Sequence, residues 1–254
     1  MVAISSQQEK YTKGSGLNGY REMVVGDAPT GYFLLFELLT LILSSLPGLL
    51  GFGLRSVFYP FLFNDCGDRP AFGRNVLLRG AKQISLGNKV LIDSGAVLDC
   101  RGSDASVKLS DFVSIGRNSA VVAKDAQVEL SEGVNIGSNV RIASQSSIKI
   151  GASTLIGAYC YIGPGNHQTA EGKAIIEQEM ENKGGVEIGR NVWIGARVTI
   201  LDGVKIGDNA IIGAHSLVKE DVMAKSTVVG TPARVVGTPT RDINSKSIKQ
   251  RVTR

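Results

Sequence analysis

This chain predicts an all-β fold, a parallel β-helix of about six coils with an apolar helical segment on its N-terminal side, and three observations predict it. From Ile188 to Val218 an aliphatic residue recurs at every sixth position, as Ile188, Ile194, Ile200, Ile206, Ile212 and Val218. The same spacing returns in four earlier triplets: Leu86, Ile92, Leu98; Leu109, Ile115, Val121; Leu130, Ile136, Ile142; Ile150, Ile156, Ile162. The intervals between successive triplets are 11, 9, 8, 26 and 6 residues, so every insertion falls at the same one of three corners.

A period of six drifts against both the helical repeat of about 3.6 and a heptad, so neither an amphipathic helix nor a coiled coil explains it. A solenoid does. Each short strand forms part of one flat face, a turn follows, and the aliphatic residue points inward onto its equivalent in the next coil. Three hexads close one coil, and a partial coil is expected ahead of the six at Phe72 and Leu78. The composition agrees: 31 glycines against 8 Phe and 1 Trp suit tight turns better than a thick aromatic core.

The chain divides into residues 1–30, polar and expected to be loosely structured; 31–71, an apolar helical segment; 72–237, the β-helix; and 238–254, a basic tail. In the second segment 17 uncharged residues lie between Glu37 and Arg55, at the short edge of a bilayer span. Pro47-Gly48 interrupts the run, so two short helical halves are expected in place of one straight span. Lys10, Lys13 and Arg21 precede it and Arg55, Arg69 and Arg74 follow it, so the basic residues do not force its ends onto opposite sides of a membrane. A peripheral or monotopic membrane contact through 31–63 is preferred over a soluble helical hairpin capping the β-helix, because the large apolar side chains otherwise need a partner to cover them.

Net charge is +5, and the tail holds Arg241, Lys246, Lys249, Arg251 and Arg254 against Asp242. Such a tail can add attraction to anionic lipid, although it is more often a solvated end, and without interleaved aromatics or a binding motif no nucleic acid partner is expected. Cys66, Cys100 and Cys160 form no C-x-x-C pair, which argues for a reducing compartment and against a zinc site.

The stretches "NVWIGARVTILDGVKIGDNAIIGAHSLV" and "VVGTPARVVG" carry a resemblance to the hexapeptide-repeat acyltransferases, most closely their sugar O-acetyltransferase branch of galactoside and maltose acetyltransferases. It covers about residues 72 to 237. The resemblance implies a left-handed helix, a homotrimer with sites between subunits, acetyl-CoA as cosubstrate, and no metal. With only two histidines, the chain departs from the β-helical carbonic anhydrases, whose zinc takes three.

Acyl transfer to a hydroxyl needs a base near neutral pKa, which an imidazole supplies. His167 opens the 26-residue interval and matches the family's base; a lone loop histidine is otherwise more often a surface residue. Asn166 beside it and Trp193 in "NVWIGAR" are the expected acceptor contacts. By motif position the coenzyme would lie along Gly195, Ala196, Gly213 and Ala214 and meet Lys219 and Arg234 with its phosphates, while Thr231, Pro232 and Ala233 would turn the chain near the adenine. His215 is read as structural or as a wall of the coenzyme channel. The expected function is acetyl transfer to a hydroxyl of a sugar or a membrane-held glycan or lipid, at the cytoplasmic face of the membrane. N-acylation of an amino sugar, a longer acyl donor, and an inactive scaffold are the alternatives.

Overall fold

The computed structural model describes residues 16–164 and 181–237, with 168, 172, 174, 177 and 178 between them. Asn166, His167 and the basic tail lie outside the described residues.

The body is a parallel β-solenoid in which each coil gives one strand to each of three sheets, of seven, nine and seven strands. Its first coil, β1 (Asp65–Cys66), β2 (Ala71–Phe72) and β3 (Leu77–Arg79), is complete, so there are about seven coils where the sequence predicts about six. Cys66 stands opposite Leu86, Phe72 opposite Ile92 and Leu78 opposite Leu98. Cys66 hid this coil, since it replaces the aliphatic residue that marks the others.

The predicted register holds throughout. Leu109, Leu130, Ile150, Ile188 and Ile206 face one another in the first sheet. Ile115, Ile136, Ile156, Ile194 and Ile212 do so in the second, and Val121, Ile142, Ile162, Ile200 and Val218 in the third. All are buried, and burying each such side chain stabilises the fold by roughly 1.5–3 kcal/mol. A second inward column lies two residues earlier, among it Val140, Cys160 and Val198. A hydroxyl in this column links coils: Thr154 Oγ1 donates to the Gly189 carbonyl at 2.9 Å and accepts from the Val192 N–H at 3.1 Å.

Two of the three corners are tight turns built round one left-handed residue, among them Asn75, Asn118, Asn139, Asn191 and Asn209. Asparagine tolerates that conformation best after glycine. The third corner, from the third sheet back to the first, takes all the insertions, as the intervals predict. At the far end β22 (Thr227–Val229) extends the second sheet, and β23 (Arg234–Gly237) folds back antiparallel to cover its edge.

The N-terminal side is closed by α1 (Gly16–Val25), α2 (Thr30–Leu43) and α3 (Gly48–Phe58), followed by a 3-10 turn at Tyr59–Leu62. The helix at Gly16–Val25 corrects the reading of 1–30 as loosely structured, at least over these ten residues. The predicted break is present: α2 ends before Ser44 and Pro47 caps α3. These helices cap the first coil. Phe63 stacks on Phe72 at 5.6 Å, and Tyr59 meets the same ring edge-on at 5.5 Å. Arg55, only 2% exposed, donates to the carbonyls of Leu43, Leu46 and Phe72 at 2.9, 2.8 and 3.0 Å. It thereby satisfies backbone groups that the broken helix leaves bare.

Candidate active site

The opened corner lies between β15 (Tyr161–Gly163) in the third sheet and β16 (Val186–Ile188) in the first. Both limbs of the intervening loop are fixed. On the outgoing limb the Tyr161 hydroxyl donates to the Pro164 carbonyl at 2.6 Å. On the returning limb the Lys183 N–H donates to Asp202 Oδ2 at 2.6 Å. Asp202 Oδ1 accepts from the Ser146 hydroxyl at 3.2 Å, so one carboxylate ties the loop to the coils on either side. Glycines permit the close passage: a Cβ on Gly185 would strike the Ser147 carbonyl, and one on Gly203 would lie 2.8 Å from Lys183 Cβ.

Asp202 is the residue that sequence reading missed. Its signal was the single Asp-Gly pair at the insertion corner, in "TILDGVKIG", directly one coil beyond the long interval.

Trp193, at the start of β17 (Trp193–Ile194), points outward as expected and is 54% exposed. In the second sheet it is flanked by Leu155 on the preceding coil and Ile211 on the following one. Its face is opposite the corner where the loop is rooted, since that corner joins the first and third sheets. A single chain therefore roots the His167 loop and displays Trp193 on different sides of the prism.

The predicted coenzyme residues gather at the last coils. Gly195 and Gly213 follow the inward Ile194 and Ile212 at the same corner, and Ala196 and Ala214 come next, exposed. The glycines answer first to coil stacking: a Cβ on Gly195 would lie 2.6 Å from the Ala214 nitrogen. His215 occupies a left-handed turn position and is exposed. Its carbonyl accepts from the Thr231 hydroxyl at 3.1 Å, which fastens the Thr231-Pro232 turn, a cis peptide, over this corner. Lys219 and Arg234 converge on one carboxylate: Glu220 lies 3.8 Å from each. The two cations and the carboxylate between them are all exposed.

Burial pushes Cys66 up to about 11 and Cys100 up to about 12, and it raises Cys160 as well, so all three stay protonated near neutrality. An open groove of about 630 Å³ runs along the first sheet, on a different face from Trp193. Its floor is a ladder of alternating charge, with Glu129, Lys149, Glu187 and Lys205 in register. Glu187 and Lys205 pair at 3.7 Å, so the rungs largely answer one another.

Residues 185–220 match the family described as bacterial transferase hexapeptide, six repeats. That is the stretch whose inward residues stack at a spacing of six. That stretch carries the hexapeptide repeat. The chain is 29% identical over 147 residues, 58% of its length and 49% of the relative's, to a protein of Mycobacterium tuberculosis named as a probable acetyltransferase. Over 104 residues, 38% of its length and 53% of the relative's, it is 32% identical to an Escherichia coli protein named for O-acetyl transfer in lipopolysaccharide biosynthesis. It thus spans about half the length of the curated relatives it matches. Among solved structures it resembles a point variant of AntD, an N-acyltransferase from Bacillus cereus in complex with dTDP-4-amino-4,6-dideoxyglucose and coenzyme A. The TM-score is 0.50 at 23% identity, over 73% of this chain and 88% of that one, a likeness of fold.

Proposed function

We propose that this hexapeptide-repeat protein is an acyltransferase that moves an acetyl group from acetyl-CoA to a hydroxyl of a sugar or of a membrane-held glycan or lipid. The observation that carries the reading is the single opened corner. Its loop bears His167, and its limbs are tied down by Tyr161 and Asp202 in a solenoid whose other corners are tight. The names of the two curated relatives and the coenzyme A in the AntD complex support acyl transfer from a coenzyme thioester.

In this mechanism His167 accepts the proton of the acceptor hydroxyl as that oxygen attacks the thioester carbonyl. The tetrahedral oxyanion collapses, the carbon–sulfur bond breaks, and the departing thiolate takes the proton back from the imidazolium. Asn166 and Trp193 hold the acceptor, the exposed strip at Gly195, Ala196, Gly213 and Ala214 takes the pantetheine, and Lys219 and Arg234 meet the phosphates. No metal takes part. Since one chain carries Trp193 and the rooted loop on different faces, the complete site is assembled between copies, which supports a homotrimer. A coenzyme A donor and buried, protonated thiols fit the cytoplasm, with catalysis at the cytoplasmic face of the membrane.

A second reading is acylation of a sugar amine, favoured by the amino sugar in the AntD complex. Purified protein with acetyl-CoA and longer acyl-CoAs, offered free sugars, amino sugars and lipid extract, with products read by mass, separates the two. Ester formation supports the first reading and amide formation the second. Coenzyme release that stays at the acceptor-free rate with every acceptor would reject both.

A further inference from the structure

The helical cap does more than close the solenoid. Its inner side meets Phe72, while Leu38, Leu41 and Ile42 on α2, Leu49 and Leu50 on α3, and Phe61 beyond it are large apolar side chains left exposed. Leu41 and Leu49 are 81% and 85% exposed. Such a face on a water-facing protein marks an interaction surface.

What that surface fits follows from where the polar atoms of the cap go. Three polar side chains of α2 are bonded within the cap: Tyr32 donates to the Leu62 carbonyl at 2.6 Å, Glu37 accepts from the Tyr20 hydroxyl at 2.9 Å, and Thr40 donates back to the Phe36 carbonyl at 2.8 Å. The backbone at the helix break is also answered from inside. Arg55 takes the carbonyls of Leu43 and Leu46, and the Asn75 N–H takes that of Ser44 at 2.8 Å. A protein partner gains register from hydrogen bonds at its interface, and these groups are already engaged. Hydrocarbon offers no hydrogen bonds and tolerates a broken helix only where the freed groups are satisfied by the protein.

Charge gives a second argument. The first coil, directly beneath the cap, carries an exposed basic residue at each of its three corners, Arg69, Arg74 and Lys82. Asp65 and Asp68 accompany Arg69, while Arg74 and Lys82 share their turns with no carboxylate. Lys82 Nζ reaches over the cap, donating to the Phe63 carbonyl at 2.9 Å. Cations around the rim of an apolar face match an anionic lipid surface. Among the described residues no single helix is long and apolar enough to cross a membrane, and α1 meets α2 at 80°.

We propose that the cap is a membrane-docking surface, seated in one leaflet of an anionic bilayer through Leu38, Leu41, Ile42, Leu49, Leu50 and Phe61, with Arg69, Arg74 and Lys82 at the headgroups. This contact is independent of the catalytic reading, and it would hold an acyltransferase or an inactive solenoid equally.

The test is flotation of the full-length protein with vesicles of phosphatidylcholine alone and of phosphatidylcholine with phosphatidylglycerol, at low and high salt. The wild type is expected to float with both, more strongly with the anionic vesicles, and to stay bound in high salt because the apolar contact is not screened. Leu41→Ser with Leu49→Ser should cut the bound fraction at least tenfold at an unchanged thermal midpoint. Arg69→Gln with Arg74→Gln should lose several-fold on anionic vesicles only. If the double leucine variant melts early, the single Leu41→Gln and Leu49→Gln variants take its place. Wild type that stays at the bottom of the gradient overturns the proposal, as does equal flotation of wild type and folded leucine variants. So does a detergent-free wild-type oligomer that ignores vesicles and is dissociated by Leu41→Ser with Leu49→Ser, which assigns the face to another copy.

Discussion

The backbone N–H of Lys183 donates to Asp202 at 2.6 Å, across the corner where the long loop re-enters the solenoid. A charged acceptor in that place does for the loop what strand pairing does for the coils. Asp202→Ala is expected to lower turnover by about ten- to a hundredfold, as a displaced catalytic group does, with a smaller change in KM. Asp202→Asn, which keeps an acceptor oxygen, should recover part of it. Steady-state kinetics with an accepted sugar measures both, and wild-type turnover in Asp202→Ala would deny it the positioning role.

His167→Ala should fold and assemble normally but lose roughly two to four orders of magnitude in turnover, the cost of removing a general base. Coenzyme thiol release reads this directly. Turnover near the wild-type level would take His167 out of the mechanism.

Lys219 and Arg234 share Glu220 in the free protein. Replacing either by Ala should weaken coenzyme A binding about fivefold, near 1 kcal/mol for exposed and screened charges, and weaken dephospho-coenzyme binding less. Glu220→Gln should act in the opposite direction by releasing both cations. Calorimetry with the two ligands tests this, and equal losses for both would move the phosphate contact elsewhere.

Arg55 holds three carbonyls inside the cap. Arg55→Met fills the space but removes all three bonds, and with bonds to a charged group worth about 1.5–3 kcal/mol each, a loss on the order of 3 kcal/mol or more is expected. Denaturant unfolding at constant slope would show it. A change below about 0.5 kcal/mol, within the range of an ordinary surface substitution, would mean that the cap does not depend on this guanidinium.

Burial holds Cys66 and Cys100 at about 11 and about 12. At pH 8 their thiolate fractions are then about a thousandth or less, so the native protein should react with a disulfide reagent far more slowly than the denatured chain. Fast labelling of native Cys100 would contradict its place in the core.

Much of the fold was legible because a solenoid repeats its reason. Each inward Ile, Leu or Val faces its equivalent one coil away, so a local spacing of six is also a tertiary contact, and the triplets from Leu86 to Val218 fell into register as read. The same logic fixed the corner that takes every insertion. The first coil was harder, since Cys66 interrupts the pattern. The break at Pro47 was legible because proline cannot continue a helix.

The sequence by itself therefore determined the solenoid, the register of its core, the opened corner with His167 and the apolar character of the cap. All of these follow from side-chain type at a fixed spacing. Tertiary structure alone decided that Asp202 ties the loop to Ser146 and Lys183, that Glu220 draws Lys219 and Arg234 together, and that Arg55 answers the broken helix from beneath. It also decided that Trp193 faces away from the loop's roots. These are relations between residues on different coils or across the cap. A hydrogen bond or ion pair depends on position in space within a few tenths of an ångström, which no spacing along the chain encodes.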